Sequence, residues 1–167
     1  MSEFHIRSAA DISRLQESWN VECKLARGKG GTGALPEDIW ETYSAFANTA
    51  GGNICLGVEE LPDGSFRLAG IERPQEVLKS LWAGLNDPRK VSVNVLCIDS
   101  IAIIPVEDTS IIHIHVPKAP ASLGPVYING DPLTGSYHRV GDADVRQSPD
   151  KVSKHLARLR GQVLSRA

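Results

Sequence analysis

The sequence lacks any long hydrophobic run: no apolar stretch approaches the roughly 18 residues that a membrane-spanning helix needs. Its N-terminus also lacks the charged start, apolar stretch and cleavage site of a signal peptide. We therefore expect a protein that is neither inserted into a membrane nor exported. Internal repeats and low-complexity tracts are missing too, which argues against repeat architectures and a largely disordered chain.

Cysteine is scarce, and Cys23, Cys55 and Cys97 form no Cys-x-x-Cys pair. This spacing matches neither a zinc site nor a disulfide framework. All three lie in apolar stretches typical of strands, so we expect buried, reduced thiols. Reduced thiols are typical of the cytoplasm, which is where we expect the protein.

An excess of positive charge is also missing. The 167 residues carry a net charge of -2, so any contact with nucleic acid must come from local basic patches. Hydrophobic residues make up 41% of the chain and charged residues 23%, proportions typical of a globular protein. A chain of this length suits one domain with a substantial core.

The most informative stretch runs from Tyr43 to Glu60. Apolar residues recur at three- and four-residue spacing between residues 36 and 50, which predicts a helix with one apolar face. Gly51 and Gly52 favour a sharp helix end and a reversal of the chain. Residues 53–58 then predict a short buried strand, followed by two adjacent acids. This unit suits a functional site, and it is equally typical of ordinary α/β scaffolding.

Other segments alternate between short strands and helices. Residues 19–24 predict a strand on which Glu22 and Lys24 share one face. Further strands are predicted over residues 65–71, 91–97, 100–104, 111–116, 126–128 and 136–140, and a further helix begins at Pro74. Together these elements predict an α+β single domain with a mixed, mostly antiparallel sheet and three to four helices.

The predicted domain covers residues 1–147, and residues 148–167 predict a basic amphipathic helix. Three roles are open for this helix: it packs on the domain, it binds a partner, or it connects to a further domain. On the strand over residues 111–116, His113 and His115 share a face. Two histidines at this spacing suit a metal, but no third ligand is evident, so we favour a solvated or hydrogen-bonded strand face.

The loop over residues 25–34 contains four glycines together with Arg27 and Lys29. A Walker phosphate loop needs a serine or threonine directly after its lysine, and here Lys29 is followed by Gly30. We therefore predict no Walker-type ATP site. The loop is either a flexible segment that contacts phosphates through its two cations or a plain connector.

Several acids flank the two central strands. Glu17 and Glu22 lie at one end of the first strand, and Glu59 and Glu60 end the other. Three carboxylates brought together can hold Mg²⁺ or Mn²⁺, because hard cations prefer oxygen ligands. The alternative is a set of solvated surface glutamates. Arg139 is a candidate phosphate contact, or else the partner of a structural carboxylate.

Three segments carry a resemblance to a known family: residues 17–24 (Glu-Ser-Trp-Asn-Val-Glu-Cys-Lys), residues 44–60 and residues 136–141. The block Ala-Phe-Ala-Asn-Thr-Ala-Gly-Gly followed by Gly-Val-Glu-Glu is long and specific. The chain resembles the Schlafen-type AlbA domain over about residues 14–145. In bacteria that domain is typically the N-terminal module of transcriptional regulators, sometimes labelled divergent AAA or ATP-binding proteins.

The resemblance implies roles for individual residues. In animal Schlafen proteins with RNase activity, two glutamates and a later acid form a metal-binding catalytic trio, which matches Glu17, Glu22 and Glu60. Relatives usually have aspartate at the last position and phenylalanine where this chain has Cys23. The nuclease architecture clamps RNA between two lobes, and a homodimer would supply the second. For nucleic-acid contacts the resemblance points to basic loop and strand residues, namely Lys24, Arg27, Lys29 and Arg139.

Three functions follow as expectations. The leading one is a nucleic-acid-binding domain, with DNA the favoured polymer, of a bacterial transcriptional regulator. The second is a metal-dependent endoribonuclease that cleaves structured RNA such as tRNA. The third is a protein-interaction module, which agrees with a pI of about 6.2.

Overall fold

The computed structural model describes residues 6–15, 20–26 and 33–165, the last four of these by their backbone alone. Secondary structure follows the order α1 (Ala9–Ser13), β1 (Val21–Lys24), α2 (Ile39–Asn48), β2 (Gly52–Leu56), β3 (Val58–Glu60), β4 (Phe66–Leu68), α3 (Pro74–Leu85), β5 (Ile101–Val106), β6 (Thr109–Val116), α4 (Pro132–Gly135), β7 (Tyr137–Val140), β8 (Ala143–Arg146) and α5 (Pro149–Ser165). No helix in these ranges is both long and apolar enough to cross a membrane.

The central sheet has four strands in the order β1, β2, β6, β5. Strands β1 and β2 are parallel, and the other two pairs are antiparallel. Two separate hairpins, β3–β4 and β7–β8, are antiparallel as well. The predicted α+β single domain with a mostly antiparallel sheet is therefore confirmed. The described residues form five helices where three to four were predicted; the additional one is α4, which is only 4 residues long and too short to show a helical period in the sequence.

Two polar residues of α2, Ser44 and Asn48, hydrogen-bond to the backbone of Val126 and of Tyr137, the first residue of β7. The Asn48 side-chain amide donates to the carbonyls of Val126 and Tyr137 at 2.8 and 2.9 Å, and its oxygen accepts from Val126 N at 2.8 Å. Ser44 Oγ accepts from Tyr137 N at 3.0 Å. These bonds satisfy backbone groups outside any ladder, so α2 fixes where β7 begins.

Two of the predicted strands, residues 91–97 and 100–104, would be neighbours joined by a turn near Asp99, and this expectation is wrong. Strand β5 pairs with β6 instead, through a two-residue turn in which Glu107 has a φ of 56°. Such tight turns favour pairing between neighbours in sequence. Residues 92–97 form no strand because side chains take the place of a ladder: Tyr43 Oη accepts from Val95 N at 2.9 Å and donates to Val93 O at 2.6 Å.

The cysteines are only partly as expected. All three are free, and Cys23 and Cys55 are buried at paired positions of β1 and β2. Cys97 is exposed, so the prediction of a third buried thiol is wrong. The reason is local: residues 92–97 form no strand, a 3-10 turn follows at residues 98–100, and Ile98 beside Cys97 is 80% exposed.

Candidate functional site

A cleft of about 710 Å³ opens at the ends of β1 and β3. Strand β1 contributes Glu22 and Lys24, the residues directly before α2 contribute Asp38, and β3 contributes Glu60. Gly57 separates β2 from β3 with a φ of 97°, a conformation that favours glycine. The chain turns there, which directs the two acids of β3 into the cleft.

Glu22 is the centre of an ion-pair network in the wall of this cleft. Its Oε1 lies 3.3 Å from Lys24 Nζ, and its Oε2 lies 2.9 Å from an Arg139 guanidinium nitrogen. Lys24 Nζ also lies 3.2 Å from a carboxylate oxygen of Asp38. Burial by itself lowers the pKa of Lys24, but the carboxylates of Glu22 and Asp38 more than offset this and raise it.

The network continues from the cleft into the protein. Arg139 lies 2.8 Å from Asp144 across the β7–β8 hairpin, and its guanidinium carbon is 4.9 Å from the centre of the Phe46 ring. The Arg139 side chain is only 1% exposed. Burial opposes its charge, whereas hydrogen bonds to Asp144 and Glu22 raise its pKa. Thr42 in α2 donates a short hydrogen bond to the other Asp144 oxygen.

These contacts decide between the two roles predicted for Arg139. A buried guanidinium held by two carboxylates fits the partner of structural carboxylates rather than a phosphate contact. Lys24 is similar, because it is 8% exposed and its ammonium lies between two carboxylates. We therefore do not retain Lys24 or Arg139 as phosphate contacts.

The two acids of β3 differ from Glu22. Glu59 is paired with Arg67 on the neighbouring strand β4. Glu60 is exposed and forms no ion pair with the described residues. Glu22 and Glu60 thus line one cleft, and of these two acids Glu60 is the one without an ion pair to the described residues.

The cleft as a whole is acidic. Among the described residues its charged lining consists of one base, Lys24, and five acids, namely Glu22, Glu37, Asp38, Glu59 and Glu60. Phosphates are repelled by such a surface unless further cations compensate it. Ala26 lines the cleft directly before the segment that carries Arg27 and Lys29, and Pro36 lines it shortly after that segment.

Three predicted site residues lie outside the described residues: Glu17, Arg27 and Lys29. Within the described ranges, no three histidine, cysteine, aspartate or glutamate side chains are grouped to hold a metal ion. Carboxylates are the ligand type that Mg²⁺ and Mn²⁺ prefer. Both oxygens of Glu22, however, already contact cationic side chains. The predicted acid trio thus remains a prediction that depends on Glu17.

The two strand histidines hydrogen-bond to one amide. His113 Nε2 lies 2.9 Å and His115 Nδ1 lies 3.4 Å from the Asn53 side-chain oxygen. Burial, with a smaller effect of His115, lowers the pKa of His113 to about 4. The hydrogen-bonded strand face favoured from the sequence is what the structure contains.

Sequence reasoning missed the contribution of Asp38, Asp144 and Thr42. Asp38 looked like a helix-dipole residue at the start of α2, and its ion pair with Lys24 spans 14 positions. Asp144 pairs with Arg139 only five positions away, and the hairpin register that brings them opposite each other was the available signal.

Comparisons with known proteins now add to this geometry. The family model described as Schlafen, AlbA_2 matches residues 17–148. The chain belongs to the Schlafen AlbA_2 family. Membership suggests a function related to nucleic acids. The match ends at residue 148, so helix α5 follows the matched region. No curated protein matches the sequence significantly.

Two solved structures share the family fold. One is the solution NMR structure of the N-terminal domain of a RecG-related protein from Nitrosomonas europaea, with 24% identity and a TM-score of 0.57 over 85% of this chain and 94% of that chain. The other is the DIP2311 protein from Corynebacterium diphtheriae, with 18% identity and a TM-score of 0.53 over 82% of this chain. This chain corresponds to only 23% of the second protein. At these identities the likeness shows the fold alone.

Proposed function

We propose that this Schlafen AlbA_2 domain binds nucleic acid, with DNA as the favoured polymer, as part of a bacterial transcriptional regulator. Family membership supports a role with nucleic acids. The observation that carries the proposal is that Ala26 and Pro36, which flank the segment containing Arg27 and Lys29 in the sequence, both line the cleft. These two cations are the phosphate contacts that remain once Lys24 and Arg139 are engaged in the protein's own ion pairs.

The acidity of the cleft sets the physical conditions of binding. The described lining of the cleft contains five acids and one lysine, and Arg67, Lys90 and Arg139 each pair with one of those acids. The remaining negative charge does not favour a polyanion, so we expect Arg27 and Lys29, rather than the described lining, to hold the phosphates. Binding of this kind depends on counterion release and weakens steeply with salt.

The Arg27→Ala, Lys29→Ala double variant is expected to bind a fluorescein-labelled DNA duplex more weakly than the wild type. Each phosphate contact contributes about 0.9 to the slope of log binding constant against log salt concentration. Loss of two contacts should make that slope shallower by about 2. Fluorescence anisotropy titrations between 20 and 200 mM KCl measure it.

A matched control removes the same charge elsewhere. Arg73→Ala with Lys79→Ala deletes two exposed cations of the α3 region, neither of which lines the cleft. This variant should keep the wild-type slope. Absence of wild-type binding at 20 mM KCl, to the duplex and to tRNA, would contradict the proposed function. An equal loss of DNA binding in both double variants would contradict the role of Arg27 and Lys29.

A second candidate function, a metal-dependent endoribonuclease, is favoured by one observation: Glu22 and Glu60 line the same cleft. The acids at positions 17, 22 and 60 would hold a divalent cation, which lowers the pKa of a bound water and polarises a phosphate. A homodimer would supply the second lobe that resembles the clamp of the animal enzymes.

Glu60→Gln is the informative substitution for this activity. Glu60 is exposed and forms no ion pair with described residues, so the change should leave folding intact. Wild-type protein with Mn²⁺ is expected to nick tRNA, and the variant to nick it at least about 100-fold more slowly. Denaturing gel electrophoresis measures the products.

The control for that test is Glu72→Gln, an exposed acid outside the cleft. It should nick like the wild type. Glu22→Gln is unsuitable, because it also removes an ion-pair partner of Lys24 and of Arg139. Intact tRNA after long incubation of the wild type, or unchanged nicking by Glu60→Gln, would exclude the nuclease.

A further inference from the structure

Helix α5 has one apolar side packed on the domain. Val152 is fully buried, and Leu156 and Leu159 are half-buried. His155 Nε2 lies 3.3 Å from the carbonyl oxygen of Ala121. The helix is thus held against the domain by its apolar stripe, which leaves its other side facing solvent.

Three cations line one edge of that solvent side. Lys151, Lys154 and Arg158 are all exposed. Their spacing of three and four residues places them on one face of the helix, over an axial length of about 10 Å. We call this set the α5 basic ridge. The only acid in the helix is Asp150.

The ridge differs from many other cations of the domain in having no ion pairs. Arg14, Arg67, Arg73, Arg89 and Lys90 each lie within 4 Å of a carboxylate. No member of the ridge forms an ion pair with the described residues. Three like charges kept together on one helix face repel one another, so contact with a polyanion that neutralises them is favourable.

The neighbours of the ridge indicate the class of partner. Ser153, Ala157 and Gly161 are the exposed residues beside the three cations. The core of a protein–protein interface is rich in aromatic and large apolar side chains, and none of these three neighbours carries one. Small neighbours let an extended phosphate backbone approach the cations closely. Charge and shape therefore both favour the sugar-phosphate backbone of a nucleic acid over a protein.

The ridge is also separate from the cleft. No residue of α5 lines the cleft, and the helix follows the region that the family model matches. The charges of the domain are thus segregated into an acidic cleft and a basic helix edge, although the net charge of the whole chain is only -2. A polyanion is attracted to the basic helix edge and repelled by the acidic residues of the cleft, and this difference favours one orientation of the polyanion on the domain.

We propose that the α5 basic ridge of Lys151, Lys154 and Arg158 contacts the phosphate backbone of a bound nucleic acid. This inference rests on the proposed function, because it assigns a second contact surface for the same polymer. The contact is independent of base sequence, since phosphates carry no sequence information directly. It supplies affinity and orientation to a domain whose cleft is acidic.

The test uses the full chain and a fluorescein-labelled 20-base-pair DNA duplex in anisotropy titrations from 20 to 200 mM KCl. The ridge variant carries Lys151→Gln, Lys154→Gln and Arg158→Gln. Loss of three phosphate contacts should make the slope of log binding constant against log salt shallower by about 2.7, and weaken binding at least about tenfold at 50 mM KCl. A variant with Lys151→Arg, Lys154→Arg and Arg158→Lys keeps the charges and should bind like the wild type.

A charge-matched control carries Arg14→Gln, Arg73→Gln and Lys79→Gln, three exposed cations outside α5. It should change the slope far less than the ridge variant. Equal slopes for the control and ridge variants would overturn the inference, since net charge alone would explain the loss. Circular dichroism should show the same helix content and melting curve for both variants, because all six residues are exposed.

Failure of this inference and failure of the proposed function give different results. If the wild type binds neither duplex nor tRNA at 20 mM KCl, both fail. If the ridge variant binds like the wild type while Arg27→Ala with Lys29→Ala weakens binding, the proposed function stands and the ridge is excluded. If the ridge variant keeps DNA binding but loses binding of a polyglutamate peptide, the ridge serves a protein partner and the inference is overturned.

Discussion

Replacement of Arg139 by methionine is expected to lower the free energy of unfolding by about 3–5 kcal/mol. The Arg139 side chain is 1% exposed and is the cationic partner of Glu22 and Asp144, which are themselves only 15% and 13% exposed. Methionine fills much of the space over Phe46, so the main loss is electrostatic: the nearly buried Asp144 loses the cation it contacts, and Glu22 keeps only Lys24. Urea denaturation followed by circular dichroism measures the change.

Two further variants separate this effect from a general loss of charge. Arg89→Met removes a guanidinium that is 91% exposed and paired with Asp87, and it should lower the free energy of unfolding far less than Arg139→Met, because solvent screens an exposed pair. Adding Glu22→Gln and Asp144→Asn to Arg139→Met removes the stranded carboxylates and should recover part of the stability. A loss below about 1 kcal/mol for Arg139→Met alone would show that solvent already compensates the two acids.

Replacement of Gly51 by alanine is expected to lower the free energy of unfolding by about 3 kcal/mol or more. Gly51 has a φ of 74°, which L-residues other than glycine rarely adopt. A Cβ there would also lie 2.7 Å from the carbonyl oxygen of Val116 on β6, so backbone must move. Because Gly51 links α2 to β2, this movement would disturb the sheet that carries the cleft.

Gly64→Ala is the matched control for the second prediction. Gly64 has a φ of 85°, but a Cβ at this position meets no atom within 4 Å. Its cost should be only the conformational one, about 1–2 kcal/mol. The difference between the two variants in urea denaturation isolates the collision with β6. Equal losses of unfolding free energy in Gly51→Ala and Gly64→Ala would mean that the backbone between α2 and β2 relaxes around the added Cβ at little cost.

Several elements could be predicted because their signals are local. The alternation over residues 19–24 placed Glu22 and Lys24 on one side of β1, and their 3.3 Å contact agrees. The glycine pair after α2 predicted the helix end and the reversal into β2, and the structure has both. The hydrogen-bonded histidine face followed from strand periodicity in the same way. Each of these depends on neighbours a few positions apart.

Predictions were wrong where distant residues compete with local pattern. Residues 91–97 have strand composition, yet contacts with Tyr43, about 50 positions earlier, replace the ladder. For Arg139 the sequence left two roles open, and only the contact with Glu22, 117 positions away, and the packing on Phe46 favour the partner of structural carboxylates over a phosphate contact. A sequence pattern carries no information about such partners, because burial of a charge depends on what the fold places around it.

The sequence by itself determined the family, the α+β class and the placement of the acids of β1 and β3 in one region. These could be predicted because sequence motifs, periodicity and glycine stereochemistry act within a few residues. Only the tertiary structure decided which charges remain available. It paired Lys24 and Arg139 with carboxylates, left Glu60 exposed in an acidic cleft, and left the α5 basic ridge unneutralised. The physical reason is that a charge is compensated by whichever opposite charge lies within a few ångströms, and only the folded chain sets that distance.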